Sequence, residues 1–388
     1  MIDMLYNGIL VILVTVWIAG ARRLSHGRAI AFVKKNNLAI AVLLWAAFGA
    51  FLVSFVLYFP YFTEIHDIDD AVDSATVYFL HGGNPYVDDV VPRFATKYHP
   101  DPEFVNGTYN YLPLDLLVYS GARSAIGEIG APGWFVLVNL LFSAGALYLF
   151  RRIVRTSWRT YVPIAGVVML FYSFDNASLT LLLMVVSIYF WRKRDERSTL
   201  LAIVFLSMAT LTKIYAAIPL LVLLLFELQS RLSARDVRRL GSFLLVVAGC
   251  GGLAFVLVFP FGVSNVLGSA VLFHTSEQSR EETSAGGTLL SEVAMDNPHY
   301  ALVSIAFVLV AILVSMKLIN LDDRILLVMS VFLVVSIKSS LAPLTVLGVY
   351  LGSRLYDAVH NRTRADKKET SASGDGAGHQ APFQGAEP

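Results

Sequence analysis

Long apolar runs, broken by short polar stretches, set the pattern of this chain. Runs near 4–20, 38–61, 133–150, 160–174, 177–191, 198–212, 214–228, 240–261, 300–316, 325–338 and 341–355 each read as a membrane-spanning helix. The pattern therefore predicts an all-α integral membrane protein, a multi-span helical bundle of about 11 spans. Several central runs hold only about fifteen residues, fewer than the roughly twenty a full crossing needs. Short spans are tolerated where their ends meet a protein-lined, wet cavity instead of lipid. Residues 111–127 are apolar enough to cross, yet a crossing there would invert the charge pattern described next, so they are expected to form a re-entrant or interfacial helix.

Basic clusters at Arg22 to Lys35, Arg151 to Arg159, Arg192 to Arg197, Arg231 to Arg239 and Arg362 to Lys368 all fall on one side under this topology. The positive-inside rule makes that side the cytoplasm, with the N-terminus outside and the C-terminus inside. The acid-rich loops at about 62–110 and 263–299 then lie outside. Residues 1–355 form one polytopic domain, and 356–388, rich in Ser, Gly, Ala and charge, form a disordered cytoplasmic tail. The first apolar run carries Asp3 and is followed by Arg22 and Arg23, as expected of a first span and not of a cleaved signal peptide.

The first external loop is the most polar part of the domain. Between Glu64 and Glu103 it carries nine carboxylates against Arg93 and Lys97, five of them crowded into Glu64 to Asp73. Val72, Ala75 and Phe79 fall at i, i+3 and i+7, a stripe suited to a helix lying on the membrane surface. Asp70 and Asp73 have the spacing of a capping pair, and Gly82-Gly83 is a helix stop. Asn106-Gly-Thr108 is a glycosylation sequon consistent with exposure.

Composition narrows the classes. The chain has 388 residues, 56% hydrophobic and 15% charged, with a mean hydropathy of +0.63. A globule could not hide that much apolar surface. A net charge of +1 and the lack of a basic tract argue against a nucleic-acid partner. One cysteine, Cys250, excludes a disulfide framework and a thiolate metal site.

Polar residues that interrupt apolar sequence gather on the outer side of this topology. Asp175-Asn176 join one pair of spans, Lys213 the next and Lys338 the last, while the loop 263–299 adds His274 and Arg280. Lysines at span ends also snorkel to headgroups, but neither Lys213 nor Lys338 lies in a basic cytoplasmic cluster, where a mere anchor belongs. Arg280, between Glu277 and Glu281-Glu282, has the alternative of a loop ion pair. Asp67-Ile-Asp69 is formally a D-x-D, the one place where a divalent cation would be held through oxygen. No cofactor is otherwise called for. His66, His81 and His99 lack metal-ligand spacing.

Asp67-Ile with the small and aromatic residues up to Tyr78, then Gly83-Asn84-Pro85-Tyr86, then Tyr111-Leu-Pro113-Leu114, resembles the first external loop of glycosyltransferase family 87. Lys213 ahead of Ile-Tyr-Ala-Ala-Ile-Pro219 and Lys338 through Pro343 resemble two further motifs of that family. The likeness is spread over about residues 38–355. The family often has Gly-Gln where this chain has Asp175-Asn176, and a Ser-Pro-Gln-Tyr-like segment where it has Ser339 to Pro343. The resemblance implies a GT-C-type fold and transfer of mannose or a similar hexose or pentose from a polyprenyl-phosphate carrier. The acceptor would be a glycan or glycolipid outside the cytoplasm, as in cell-envelope glycan biosynthesis. It implies Asp67 first, and Asp69 second, as catalytic base.

The chemistry agrees with the residues. A carboxylate can take the acceptor hydroxyl proton in an inverting displacement. The lipid phosphate leaves with charge that fixed cations, Lys213, Lys338 or Arg280, would hold. Asp175, Asn176 and His274 would bind substrate, and Tyr78, Tyr86, Tyr109 and Tyr111 could stack on sugar rings or anchor at the interface. Two other classes compete: a transporter or flippase for lipid-linked sugars, and a non-catalytic membrane scaffold. Transporters favour Gly/Pro-broken spans at the midplane, whereas here the polar residues sit at span ends.

Overall fold

The computed structural model describes residues 68–94, 104–126, 133–154, 158–173, 175–271, 300–335 and 347–351, and helical positions 38, 42, 45, 46, 48–50, 52 and 53. These are predominantly helical. Helix α1 is Ile68–Leu80, α2 Pro113–Ile126, α3 Gly133–Val154, α4 Trp158–Tyr172, α5 Ala177–Trp191 and α6 Glu196–Thr210. A 3₁₀ turn, Ile214–Ala216, leads into α7, Ala217–Ala234; α8 is Val237–Val258, continued by the 3₁₀ turn Phe259–Phe261. Helices α9, Tyr300–Ser315, and α10, Leu321–Val335, follow.

Three stretches are long and apolar enough to cross a membrane: Gly133–Val154, Ile214–Ala234 and Val237–Phe261, of 22, 21 and 25 residues. At 1.5 Å per residue each rises more than about 30 Å, the thickness of a bilayer's hydrocarbon core. Helices α4, α5, α6 and α10 have 15 residues each, close to the short lengths expected. The expected runs at 4–20 and 341–355 lie wholly or mostly outside the described residues, as do the tail 356–388 and the loop 263–299 beyond Val271.

The core is centred on α5, which packs most extensively against α6 and α3. Leu179, Leu183, Met184 and Ile188 of α5 are buried with Ile203 and Leu206 of α6 and Leu223 of α7. Helices α9 and α10 pair with each other, and α10 closes on α7. By contrast α8 buries almost nothing except Phe243, so its apolar sides face outward.

The first loop is not all helix and turn. Strands β1, Val91–Phe94, and β2, Phe104–Gly107, pair antiparallel with Val91 opposite Gly107 and Phe94 opposite Phe104. Their Val and Phe residues favour the pleated conformation. Asn106 of the sequon sits exposed on β2.

The stripe on α1 is covered by protein, which corrects the surface-helix expectation. Val72 and Ala75 are fully buried in a second core with Leu116 and Tyr119 of α2, and Phe79 meets the Phe261 ring at 5.6 Å. The capping expectation is corrected too. Because α1 opens at Ile68, Asp69 and Asp70 occupy its first turn, where the helix dipole favours negative charge. Asp73 instead accepts from Trp134 Nε1 at 2.7 Å and pairs with Arg123 Nε at 3.2 Å. The Gly82-Gly83 stop is a Schellman motif. Gly82 has φ +89°, its N–H reaches Phe79 O at 2.9 Å, and the Gly83 N–H reaches Tyr78 O at 3.1 Å.

Helix α2 has 14 residues, a rise of about 21 Å. It opens on Pro113, which lacks the N–H that a first helical residue cannot use. It runs antiparallel to α1: Asp73 meets the late residue Arg123, while the chain after α1 returns to the start of α2.

The two ends of the bundle differ in charge. At one end Asp195 and Asp236 cap α6 and α8, accepting from Ser198 N at 2.9 Å and Arg239 N at 3.1 Å. There Arg231, 7% exposed, pairs with Glu227 at 3.1 Å and Glu196 at 3.3 Å. The opposite end carries the turns at Asp175-Asn176 and Lys213.

Candidate functional site

Three connections meet at that second end: the segment leading into α2, the turn before α5 and the turn between α6 and α7. The Leu114 N–H donates to Leu211 O at 3.2 Å, tying the start of α2 to the end of α6. Thr180 of α5 and Thr212 share a hydroxyl bond of 2.8 Å. Asp175 Oδ1 accepts from Ala177 N at 2.8 Å, closing the turn into α5.

Side chains then form a chain of four. The Tyr109 hydroxyl donates to Asp115 Oδ2 at 2.6 Å, and Asn176 Nδ2 donates to the same oxygen at 2.9 Å. With its amide turned that way, Asn176 presents Oδ1 to Lys213, whose Nζ donates at 2.6 Å. The same Nζ lies 3.6 Å from the centroid of the Tyr111 ring, a cation–π contact. Lys213 is half-buried and Asp115 fully buried.

An aromatic layer fixes this chain from the loop side. Tyr86 is buried, donates to Tyr111 O at 2.8 Å and packs edge-on against Tyr109 and Phe261 at 5.7 and 5.1 Å. Asn84 holds the turn, accepting from Tyr86 N at 3.1 Å and donating to Phe261 O at 3.1 Å. Below, Tyr119 and Ser178 both donate to Asn139 Oδ1.

Burial pushes the Asp115 carboxyl up to about 6, although Lys213, Tyr109 and Asn176 pull it down; Asp175 adds to the rise. Burial, and then the Asp115 charge, hold the Tyr86 and Tyr109 hydroxyls well above the usual phenol range, so both stay neutral donors.

Of the residues singled out in the sequence, Lys213, Asn176 and Tyr111 come together here, with Asp175 at the edge. Tyr86 and Tyr109 are buried supports and not open platforms. Tyr78 lies away from the cluster, its hydroxyl donating to Asp88 at 2.8 Å. Asp69 is not brought to the cluster. It occupies the first turn of α1, the end that lies beside the later half of α2, whereas Asp115 stands at the start of α2. Asp67, His274, Arg280 and Lys338 lie outside the described residues, so only one half of the D-x-D pair is described. Asp115 was missed, though it left a signal: a carboxylate inside Leu112-Pro-Leu-Asp-Leu-Leu117, where lipid or core would want an apolar residue.

No protein-family model matches the chain, and no curated protein or solved structure matches it either. The class is a predominantly helical protein with helices fit to cross a membrane, and among the described residues the Asp115–Asn176–Lys213 cluster stands at one end of its bundle.

Proposed function

We propose that the chain is a polytopic membrane glycosyltransferase of GT-C type, resembling glycosyltransferase family 87, with about 11 spans and its site on the extracytoplasmic side. It moves mannose or a similar hexose or pentose from a polyprenyl-phosphate carrier to a glycan or glycolipid acceptor. The observation that carries this reading is the convergence of Lys213, Asn176 and Tyr111, from three separate connections, on one end of a membrane-type bundle. A half-exposed lysine, steadied by an amide and an aromatic face, is suited to a lipid phosphate. Lys338 and Arg280 are the further phosphate ligands of this reading, and Asp175 and His274 join the sugar contacts.

In the transfer, the acceptor oxygen bonds to the anomeric carbon as the bond from that carbon to the phosphate oxygen breaks. The electron pair leaves on the phosphate, and the hydroxyl proton passes to a carboxylate, Asp67 or Asp69, with inversion.

The test is label transfer by membranes containing the chain, given radiolabelled polyprenyl-phosphate sugars and cell-extracted acceptors. Transfer should disappear in Asp67→Asn or Asp69→Asn and weaken in Lys213→Ala, at equal protein level. Transfer unchanged in both aspartate variants sinks the base assignment. Label that crosses sealed vesicles without joining an acceptor selects the flippase instead.

A further inference from the structure

The cluster contains a carboxylate that the transfer step does not use. Both donors to Asp115, Tyr109 and Asn176, land on Oδ2. Its other oxygen, Oδ1, is buried and meets no hydrogen-bond partner among the described residues. A carboxylate held so unequally has a defined seat for a proton. A proton on Oδ1 leaves the acceptor of Tyr109 and Asn176 in place, so the chain from Asp115 through Asn176 to Lys213 survives protonation. What changes is charge. With Asp115 ionised the pair with Lys213 is neutral; with Asp115 protonated it carries one positive charge, on the half-exposed lysine.

We propose that Asp115 is the charge counterweight of Lys213, so that a lipid phosphodiester binds at Lys213 together with one solvent proton on Asp115 Oδ1 and departs when that proton leaves. Asn176 is the positioning residue that keeps the two in register. This rests on the reading of Lys213 as the phosphate ligand.

The groups around Asp115 make it the one that responds. Lys213 faces it from the turn between α6 and α7, and Asp175 from the turn before α5; Tyr86, Tyr109 and Tyr111 come from the loop and Tyr119 from α2 itself. Helix α1 supplies Asp69, Asp70 and Asp73, the last paired with Arg123 near the far end of α2. From α3 comes neutral Asn139, and Arg239 of α8 stands at the opposite end with Glu196. Burial has already brought the Asp115 carboxyl to about 6, within reach of mild pH. An anion at Lys213 favours the protonated form and raises it further. Affinity is therefore full below that value and falls as pH rises through it, by about tenfold per unit of coupling.

The experiment measures binding of a short-chain polyprenyl-phosphate mannose to the purified full chain from about pH 5.5 to about pH 7.5. This probe is a phosphodiester and keeps its single charge throughout that range. Wild type should bind about tenfold more tightly at the acid end. Asp115→Asn keeps an oxygen for both donors but cannot ionise, and should bind with no pH dependence, near the wild-type acid-end affinity. Tyr109→Phe removes a donor that stabilises the carboxylate, and should move the pH midpoint upward. A pH slope in Asp115→Asn equal to that of wild type, with Lys213→Ala losing the probe, overturns the counterweight alone. Undiminished binding by Lys213→Ala overturns the phosphate reading and this inference with it. If Asp115→Asn fails to fold, an unmoved midpoint in Tyr109→Phe overturns the inference.

Discussion

Asp115→Asn tests the energetics of the site without any ligand. In the folded protein the carboxyl is raised from 3.8 to about 6. A carboxyl raised in the folded chain costs the fold stability wherever the unfolded chain can ionise it and the folded chain resists. That cost is absent below the unfolded value, grows as pH rises, and is complete above the folded value. Evaluated between about pH 5 and about pH 7.5, the loss is about 1.4 kcal/mol. Asparagine keeps Oδ1 to accept from Tyr109 and Asn176 but has no proton to lose, so this slice of pH dependence vanishes. The variant also places an amide donor where Oδ1 lacked a partner, which costs about 1–3 kcal/mol at every pH and cancels in the comparison. The assay is mixed-micelle unfolding of both proteins at the two pH values. The variant's stability relative to wild type should improve by about 1.4 kcal/mol on going from the lower to the higher pH. An identical difference at both would refute the claim that Asp115 is strained by burial.

Three other outcomes follow from the fold. Arg231→Ala leaves Glu227 buried without its partner at the far end of the bundle, and should cost about 3–5 kcal/mol in the same unfolding assay. Gly83→Ala would bring a Cβ to 2.2 Å from the Tyr78 ring, so it should destabilise by about 1–3 kcal/mol, much of which Gly83→Ala with Tyr78→Ala recovers. Asn139 Nδ2 and Ser143 Oγ, one turn apart on α3, are buried with no partner among the described residues, so a high-resolution map should show ordered water against them.

Helix positions were legible because hydropathy reports burial in any apolar medium. The runs at 177–191 and 300–316 match α5 and α9 within a residue, and the breaks at Asp175-Asn176 and Lys213 fall where the chain turns. What covers an apolar face was not legible. The stripe of Val72, Ala75 and Phe79 is equally suited to lipid and to α2, and only the long-range pairing of Asp73 with Arg123 and Trp134 decides for α2. The role of Asp115 was illegible for the same reason. The apolar run around it hinted at a buried carboxylate, but its partner Asn176 lies 61 residues away in the turn before α5, and no local pattern announces that pairing. Likewise Tyr86 reads as an interfacial aromatic until the ring contact with Phe261 puts it in the core.

The single backbone bond from Leu114 N to Leu211 O has a consequence for how this chain can vary. It bolts the turn carrying Lys213 to the first turn of α2, so cation and carboxylate share one chassis. Elsewhere a connection between helices can lengthen at little thermodynamic cost. Between Thr210 and Ile214 it cannot, because one added residue would slide the ammonium off the Tyr111 ring and out of reach of Asn176 while every helix stayed folded. Length, more than composition, is the property that this three-residue joint must hold constant.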